Sequence, residues 1–314
     1  MPGYATAVRL LDGATIRAAF LTLRRDVGPF DSPDDPDPTL VELVETPYET
    51  VDDVVDRLSR LEECLRTRND RRAVFLTIYT RMTRAVRAGI ERDRFTDPDW
   101  MRRYVISFAD HYRRAFLAFE QGRLAAVPEP WRIAFGTALR GDALVVQDSF
   151  LGVNAHINYD LALALADVGI DPDRDRKYAD HRAIDGILAH LVDVQQDVLA
   201  EVYAPGVDDL DRAFGRLDER LTLRSMTEGR EQAWRIAVVL TDAGWLPVQS
   251  YARWVLRATA TGGAFVVLSP GFGPDLVQAL RRVESEELDL QAVLERVGER
   301  IAVADLFEAE SPER

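Results

Sequence analysis

Apolar residues recur every three or four positions through most of this chain, a period that fits one face of a helix and not a strand. Val74, Ile78, Met82, Val86 and Ile90 trace one such stripe. Met101, Val105, Phe108, Tyr112, Phe116 and Phe119 trace another, after Asp97-Pro98, a helix start. Thr50, with Asp53 three residues on, is a capping-box-like start for a helix carrying Val54, Leu58, Leu61 and Leu65. Ile184, Leu188, Leu191, Val194, Val198 and Val202 mark a further helix, expected to open at Asp180-His181. Trp234, Val238, Thr241 and Trp245 mark one more, with Gly244 near its end. Only residues 264–268, between Gly262-Gly263 and Pro270-Gly271, read as a strand or a buried turn, and one strand makes no sheet. The expected fold is all-α, a multi-helix bundle-like domain.

The stripes are interrupted in three places. Residues 31–38 are acidic and proline-rich and cannot be helical, and further breaks fall at 171–175 and at Pro205-Gly206. Residues 308–314 read as a frayed tail. The chain has 314 residues, about twice the length of a typical domain. Residues 1–205 are therefore expected to form the main helical domain. Residues 206–314 are expected to form a C-terminal helical portion packed on the same core.

Charge narrows the partners. Lys and Arg total 39 against 53 Asp and Glu, a net charge of -14, which argues against nucleic acid or an anionic membrane as the main partner. A single lysine, Lys177, stands among the basic residues, in a segment that reads as a charged loop. Acidic surplus with almost no lysine suits a protein dissolved in molar salt, where the Debye length falls to about 3 Å and carboxylate repulsion is screened. A GC-rich codon bias would deplete lysine as well. With no apolar run of spanning length and no basic-then-apolar start, the expectation is a soluble, halophilic, cytoplasmic protein. Cys64, the one cysteine, allows no intrachain disulfide and reads as a small buried hydrophobe.

One segment breaks the apolar pattern. Leu151-Gly152-Val153-Asn154-Ala155-His156-Ile157-Asn158-Tyr159-Asp160-Leu161 carries four polar side chains inside an apolar stretch, so they are expected to be at least partly buried and to need partners. On a helix, His156 pairs with Asp160, while Asn154 pairs with Asn158 on nearly the opposite side. The one-turn spacing of His156 and Asp160 suits two ligands of one metal ion. It equally suits an Asp orienting an imidazole, or a structural pair. Asp180 and His181 on an antiparallel neighbouring helix would complete a site of N and O ligands for zinc, iron or manganese. The alternative is that Asp180 caps its own helix and His181 is a half-exposed first-turn residue. The expected metal ligands are thus His156, Asp160, Asp180 and His181, with Asn154 and Asn158 as cofactor-binding residues.

The same eleven residues resemble the signature of an uncharacterised prokaryotic family, DUF5995-like, and the Asp180-His181 pair and the preceding aromatic-rich helices are similar to it as well. The resemblance covers roughly residues 40 to 240. It implies that the segment matters and implies no reaction.

The remaining candidates read as structural. His111 sits at the edge of the Phe108/Tyr112 stripe, and His190 lies one position from Leu191. Asp185, Asp193 and Asp197 read as a solvated helix face. Trp100, Trp131, Trp234, Trp245 and Trp254 read as core or helix-end anchors, or as the lining of an apolar cavity. The chain contains no P-loop, dinucleotide fingerprint, nucleophile elbow or H-E-x-x-H motif. Lys177 in a charged loop is a poor Schiff-base lysine. Three functions remain: a metal-dependent hydrolase acting through bound water, a non-catalytic helical binding or scaffold protein whose quartet is a hydrogen-bond network, and a carrier of a small apolar molecule.

Overall fold

A computed structural model describes residues 6–7, 10, 13–24, 32–33, 35–203, 223–269, 274–286 and 289–300, and the side chains of 14, 24, 189–196, 198–203, 223–225 and 274 are excepted. The described regular structure is helical. In chain order the helices are α1 (Gly13–Arg24), α2 (Pro38–Val44), α3 (Val51–Thr67), α4 (Ala73–Glu91), α5 (Pro98–Glu120) and α6 (Glu129–Arg140). A central rod follows, made of α7 (Val145–Ala155), a π-helical turn (His156–Asp160) and α8 (Leu161–Val168). The rest are α9 (Arg174–Tyr203), α10 (Leu223–Asp242), α11 (Leu246–Leu268), α12 (Pro274–Glu286) and α13 (Leu290–Arg300).

Helix starts follow the local chemistry. Asp37 caps α2 by accepting the Thr39 and Leu40 N–H groups. Thr50 caps α3 by accepting from Asp53 N–H at 3.1 Å. Asp97 accepts from Trp100 N–H at 2.9 Å, with Pro98 in the first turn of α5. Each satisfies backbone donors that a helix leaves open at its N-terminus. The stripes read from the sequence then bury: Val54, Leu58, Leu61 and Leu65 of α3 meet Leu76 and Tyr79 of α4 and Phe116 and Phe119 of α5 in one cluster. Trp234, Val239, Val255, Phe265, Val293 and Leu294 join the same cluster.

The rod lies at the centre. The α7 part packs on α4, α6 and α11, the π turn on α10 and α11, and α8 on α5 and α10. The α1 helix lies along α11, where a Cβ at Gly262 would sit 2.5 Å from the Ala18 backbone. That close approach accounts for the glycine, and residues 264–268 are the last turns of α11 rather than a strand or buried turn. Small residues before them let two helices touch, and a helix satisfies its own backbone without a neighbouring strand. No helix among the described residues is long and apolar enough to cross a membrane.

Other expectations change too. Trp245 lies outside α10, at the N-terminus of α11, and is 61% exposed, while Trp100, Trp131 and Trp234 are buried. The helix expected to open at Asp180 starts at Arg174, which puts Lys177 in its first turn. Lys177 is buried there, its ammonium donating to the carbonyls of Asp171 at 2.9 Å and Gly169 at 3.3 Å. It closes the C-terminus of α8 instead of standing in a solvated loop. Cys64 is half-buried against the core. The expected boundary at 205/206, the tail 308–314 and the side chains of His190 and Asp193 lie outside what is described.

Candidate functional site

The eleven-residue segment forms the middle of the rod. Regular α-helix stops at Ala155, and the Leu161 N–H bonds to the His156 carbonyl five residues back, so the turn His156–Asp160 is π-helical. Such turns are rare and recur at functional sites. The sequence pattern predicted an ordinary helix here. Even so, the two side-chain pairs form as the four-residue spacing requires.

On one side of the rod, His156 Nδ1 lies 2.9 Å from Asp160 Oδ2, and the Trp131 indole N–H donates to that same oxygen at 2.8 Å. Both partners of the pair are essentially sealed, with His156 2% and Asp160 1% exposed. A carboxylate oxygen accepts, so the proton of the imidazole sits on Nδ1 and Nε2 is bare. Nε2 has no hydrogen-bond partner among the described residues. The ring is held in an aromatic box. Phe108 stacks on it at 3.6 Å between centroids, Tyr79 meets it edge-on at 4.3 Å, and Phe75 and Trp131 complete the walls. Burial pushes the imidazole below its ordinary pKa, and the hydrogen bond to Asp160 offsets part of that shift.

On the opposite side, the Asn154 amide donates to the Ala260 carbonyl of α11 at 2.8 Å and accepts from Asn158 at 3.0 Å. Two glycines make room for these amides. A Cβ at Gly263 would lie 2.4 Å from Asn154 Oδ1, and one at Gly229 would lie 2.3 Å from Asn158 Oδ1. The expected cofactor-binding pair therefore spends its polar atoms on the neighbouring helix and on each other.

Asp180 and His181 are buried as well but serve other partners. Asp180 accepts from the Thr96 N–H at 2.7 Å, the Thr96 hydroxyl at 2.8 Å and the Asp97 N–H at 2.7 Å. It fixes the turn that leads into α5 and does not cap its own helix. His181 is 0% exposed, on the apolar face of α9 expected from Ile184 and Leu188, and not half-exposed. Its Nδ1 lies 3.0 Å from the Tyr104 hydroxyl and 3.4 Å from Arg230 Nη2, and the same Nη2 donates to the His181 carbonyl. Flanked by these donors, Nδ1 accepts, so the proton is on Nε2. Burial, reinforced by the Arg230 charge, holds this imidazole well below its usual range.

The two polar pairs do not converge. The α8 helix packs on α5 and α10, whereas α9 packs on α4, α10 and α13. Tyr104 and Phe108, one turn apart on α5, stand between the imidazoles, with Tyr104 beside His181 and Phe108 stacked on His156. Among the described residues, no group of three or more His, Cys, Asp and Glu side chains is placed to hold a metal ion. His111 is half-buried and meets Asp167 of α8 at 3.0 Å.

Two further residues had no distinguishing signal in the sequence. Trp131 looked like any anchor tryptophan, yet it is the second donor to Asp160. Arg230 is one of many arginines, yet it is 2% exposed, with Nε on Asp185 Oδ1 at 2.7 Å. Asp185, read as part of a solvated face, is half-buried because it holds this guanidinium.

Residues 51–270 match the model of a family described as a family of unknown function, DUF5995. The chain belongs to this family. The match spans the rod, its aromatic box and the helices that carry Asp180, His181 and Arg230. No curated protein and no solved structure matches the chain.

Proposed function

We propose that this member of the DUF5995 family is a non-catalytic helical binding protein in which the segment 151–161 is a structural lock. The observation that carries the reading is that the four polar side chains bond inside the protein. Asn154 reaches Ala260, Asn158 reaches Asn154, and His156 and Trp131 share Asp160. The Asn154 bond ties the rod to α11 and the Trp131 bond ties it to α6, while the Asn154–Asn158 and His156–Asp160 bonds brace the rod itself, and such buried, satisfied polar groups fix one packing among the many that apolar helices allow. Asp180 adds a tie of the same kind between α9 and the start of α5.

A second reading, a divalent metal (zinc, iron or manganese) supporting hydrolysis, draws on the bare Nε2 of His156. It lacks a third ligand beside that nitrogen among the described residues. Thermal unfolding of wild type and His156→Ala, each with and without a chelator, separates the two. A lock predicts a lower Tm for the variant and no chelator effect on wild type. A chelator-sensitive wild type that carries stoichiometric metal overturns the lock. The acidic, lysine-poor composition supports a soluble protein of a salt-rich cytoplasm as its setting.

A further inference from the structure

Two helices depart from the acidic character of this chain. The 12 residues of α1 and the 23 of α11 hold no Asp or Glu, whereas the whole chain carries 53 acids in 314 positions. Among the described α-helices, these two alone lack an acid. They carry arginines instead, and Arg17, Arg253 and Arg257 are exposed. The two also pack on each other. Ala18 meets Gly262, and the Thr22 hydroxyl donates to the Ala258 carbonyl at 3.4 Å, so they run antiparallel.

This packing turns apolar side chains outward. Ile16, Phe20 and Leu23 form one stripe, on the side of α1 opposite Ala18 and Thr22. Ile16 and Phe20 are about half exposed and Leu23 is 85% exposed. On α11, positions 254, 258 and 262 share a face, and α1 covers only the last two. Trp254 therefore stands open past the last turn of α1, stacked with Tyr251, and Leu246, 74% exposed, extends the surface toward the start of α11. From Trp245 to the level of Ile16 the surface runs roughly 30 Å at the helical rise per residue. Phe20, Trp245 and Trp254 alone leave on the order of 300 Å² open, the scale at which an exposed patch marks an interaction site.

Charge and shape select the occupant. A second copy is disfavoured, because a two-fold interface sets this arginine-bearing, acid-free surface against itself. The surface is also convex: α1 packs chiefly on α11 and its stripe faces away from it, so it offers a protein side chain no groove. A bilayer interface fits both properties. Trp, Phe and Leu enter the headgroup boundary to about 5–10 Å, and arginines beside them reach lipid phosphates. The net charge of -14 resists an anionic surface, yet that repulsion is screened beyond about 8 Å at physiological ionic strength. Among the described helices, the acid-free pair is the part that such a surface repels least.

We propose that α1 and the first half of α11 dock peripherally on a bilayer containing anionic phospholipid, inserting Phe20, Leu23, Leu246 and Trp254 and placing Arg17, Arg253 and Arg257 on phosphates. The proposal names a partner for the binding protein inferred above and rests on that reading. It uses none of the residues of the lock.

The test floats the full chain with vesicles of equimolar phosphatidylglycerol and phosphatidylcholine, and with vesicles of phosphatidylcholine alone, at constant ionic strength. The expected result is binding at least tenfold tighter to the anionic vesicles, with tryptophan emission quenched by lipid brominated on its acyl chains. The double variant Leu23→Glu, Leu246→Glu changes two exposed positions and is expected to keep its Tm and to bind at least tenfold more weakly. If it fails to fold, the lipid preference and the quenching of the wild type decide alone. Absence of flotation overturns the proposal, as does equal binding to both vesicles or undiminished binding by the folded double variant. Self-association that the double variant abolishes, without vesicle binding, assigns the surface to a second copy and overturns it too. Failure here leaves the lock standing, because the lock is judged by His156→Ala and the chelator.

Discussion

Replacing Asp160 by Ala tests the lock where it is most concentrated. The carboxylate accepts from two donors, Trp131 Nε1 at 2.8 Å and His156 Nδ1 at 2.9 Å. Neither donor has access to solvent, since Trp131 is 0% and His156 2% exposed. Removing the acceptor leaves two buried N–H groups unsatisfied, at about 1–3 kcal/mol each, or about 2–6 kcal/mol together. Part of this is returned, because a buried carboxylate is itself costly to desolvate. Against a typical total stability of about 5–15 kcal/mol, the lower half of that range is still a large loss. At about 2–4 °C per kcal/mol for chains of this order of length, the variant is expected to melt on the order of 5–15 °C below wild type. Scanning calorimetry or circular dichroism at 222 nm reads this directly, with urea unfolding as a check on reversibility. Trp131→Phe, which removes one donor and leaves the other bonded, should lose distinctly less. A variant Asp160→Ala within about 2 °C of wild type, corresponding to less than about 1 kcal/mol, would refute the reasoning.

Four further outcomes follow. Gly263→Ala puts a methyl carbon 2.4 Å from Asn154 Oδ1 and should lower Tm by displacing that amide from Ala260; an unchanged Tm with native hydrogen exchange at Asn154 would contradict the contact. Burial holds His181 below its ordinary pKa, so the unfolded chain binds its proton first, and stability should fall as pH drops below about 6.5. His181→Gln should flatten that limb in urea titrations taken pH by pH. Asp148 has the opposite sign: burial pushes it up to about 7 despite Arg71, so the native state holds the extra proton between about pH 4 and 7. Stability from this group falls as pH rises through that window, and Asp148→Asn should remove the slope. Finally, with a net charge of -14, Tm should rise from dilute buffer to molar KCl, and a flat salt profile would exclude adaptation to concentrated salt.

Much of the fold is legible because a helix needs only its own sequence to satisfy its backbone. Thr50, Asp97 and the stripes of α3, α4 and α5 announce themselves through spacings of three and four. The side-chain pairs of 154 with 158 and of 156 with 160 are legible for the same reason. What escapes is whatever depends on a neighbour. Gly262 and Gly263 look like breakers, but they are the spacing that lets α1 and Asn154 approach α11. Lys177 looks solvated, yet the carbonyl ends of the chain around Gly169 and Asp171 draw it inside. The helix starting at Arg174 points His181 at Tyr104 and Arg230, away from His156, so the expected four-ligand centre divides into two separate arrangements. Arg230 carries no local mark at all. Only the packing of α9 against α10 makes it a buried cation.

The most direct measurement is a long-range ¹H–¹⁵N spectrum of the imidazoles in the folded protein near neutral pH. The account predicts His156 neutral with its proton on Nδ1 and His181 neutral with its proton on Nε2, both unmoved by chelator or by added zinc. A His156 Nε2 resonance that shifts on zinc addition, or an imidazole that is already charged, would contradict it.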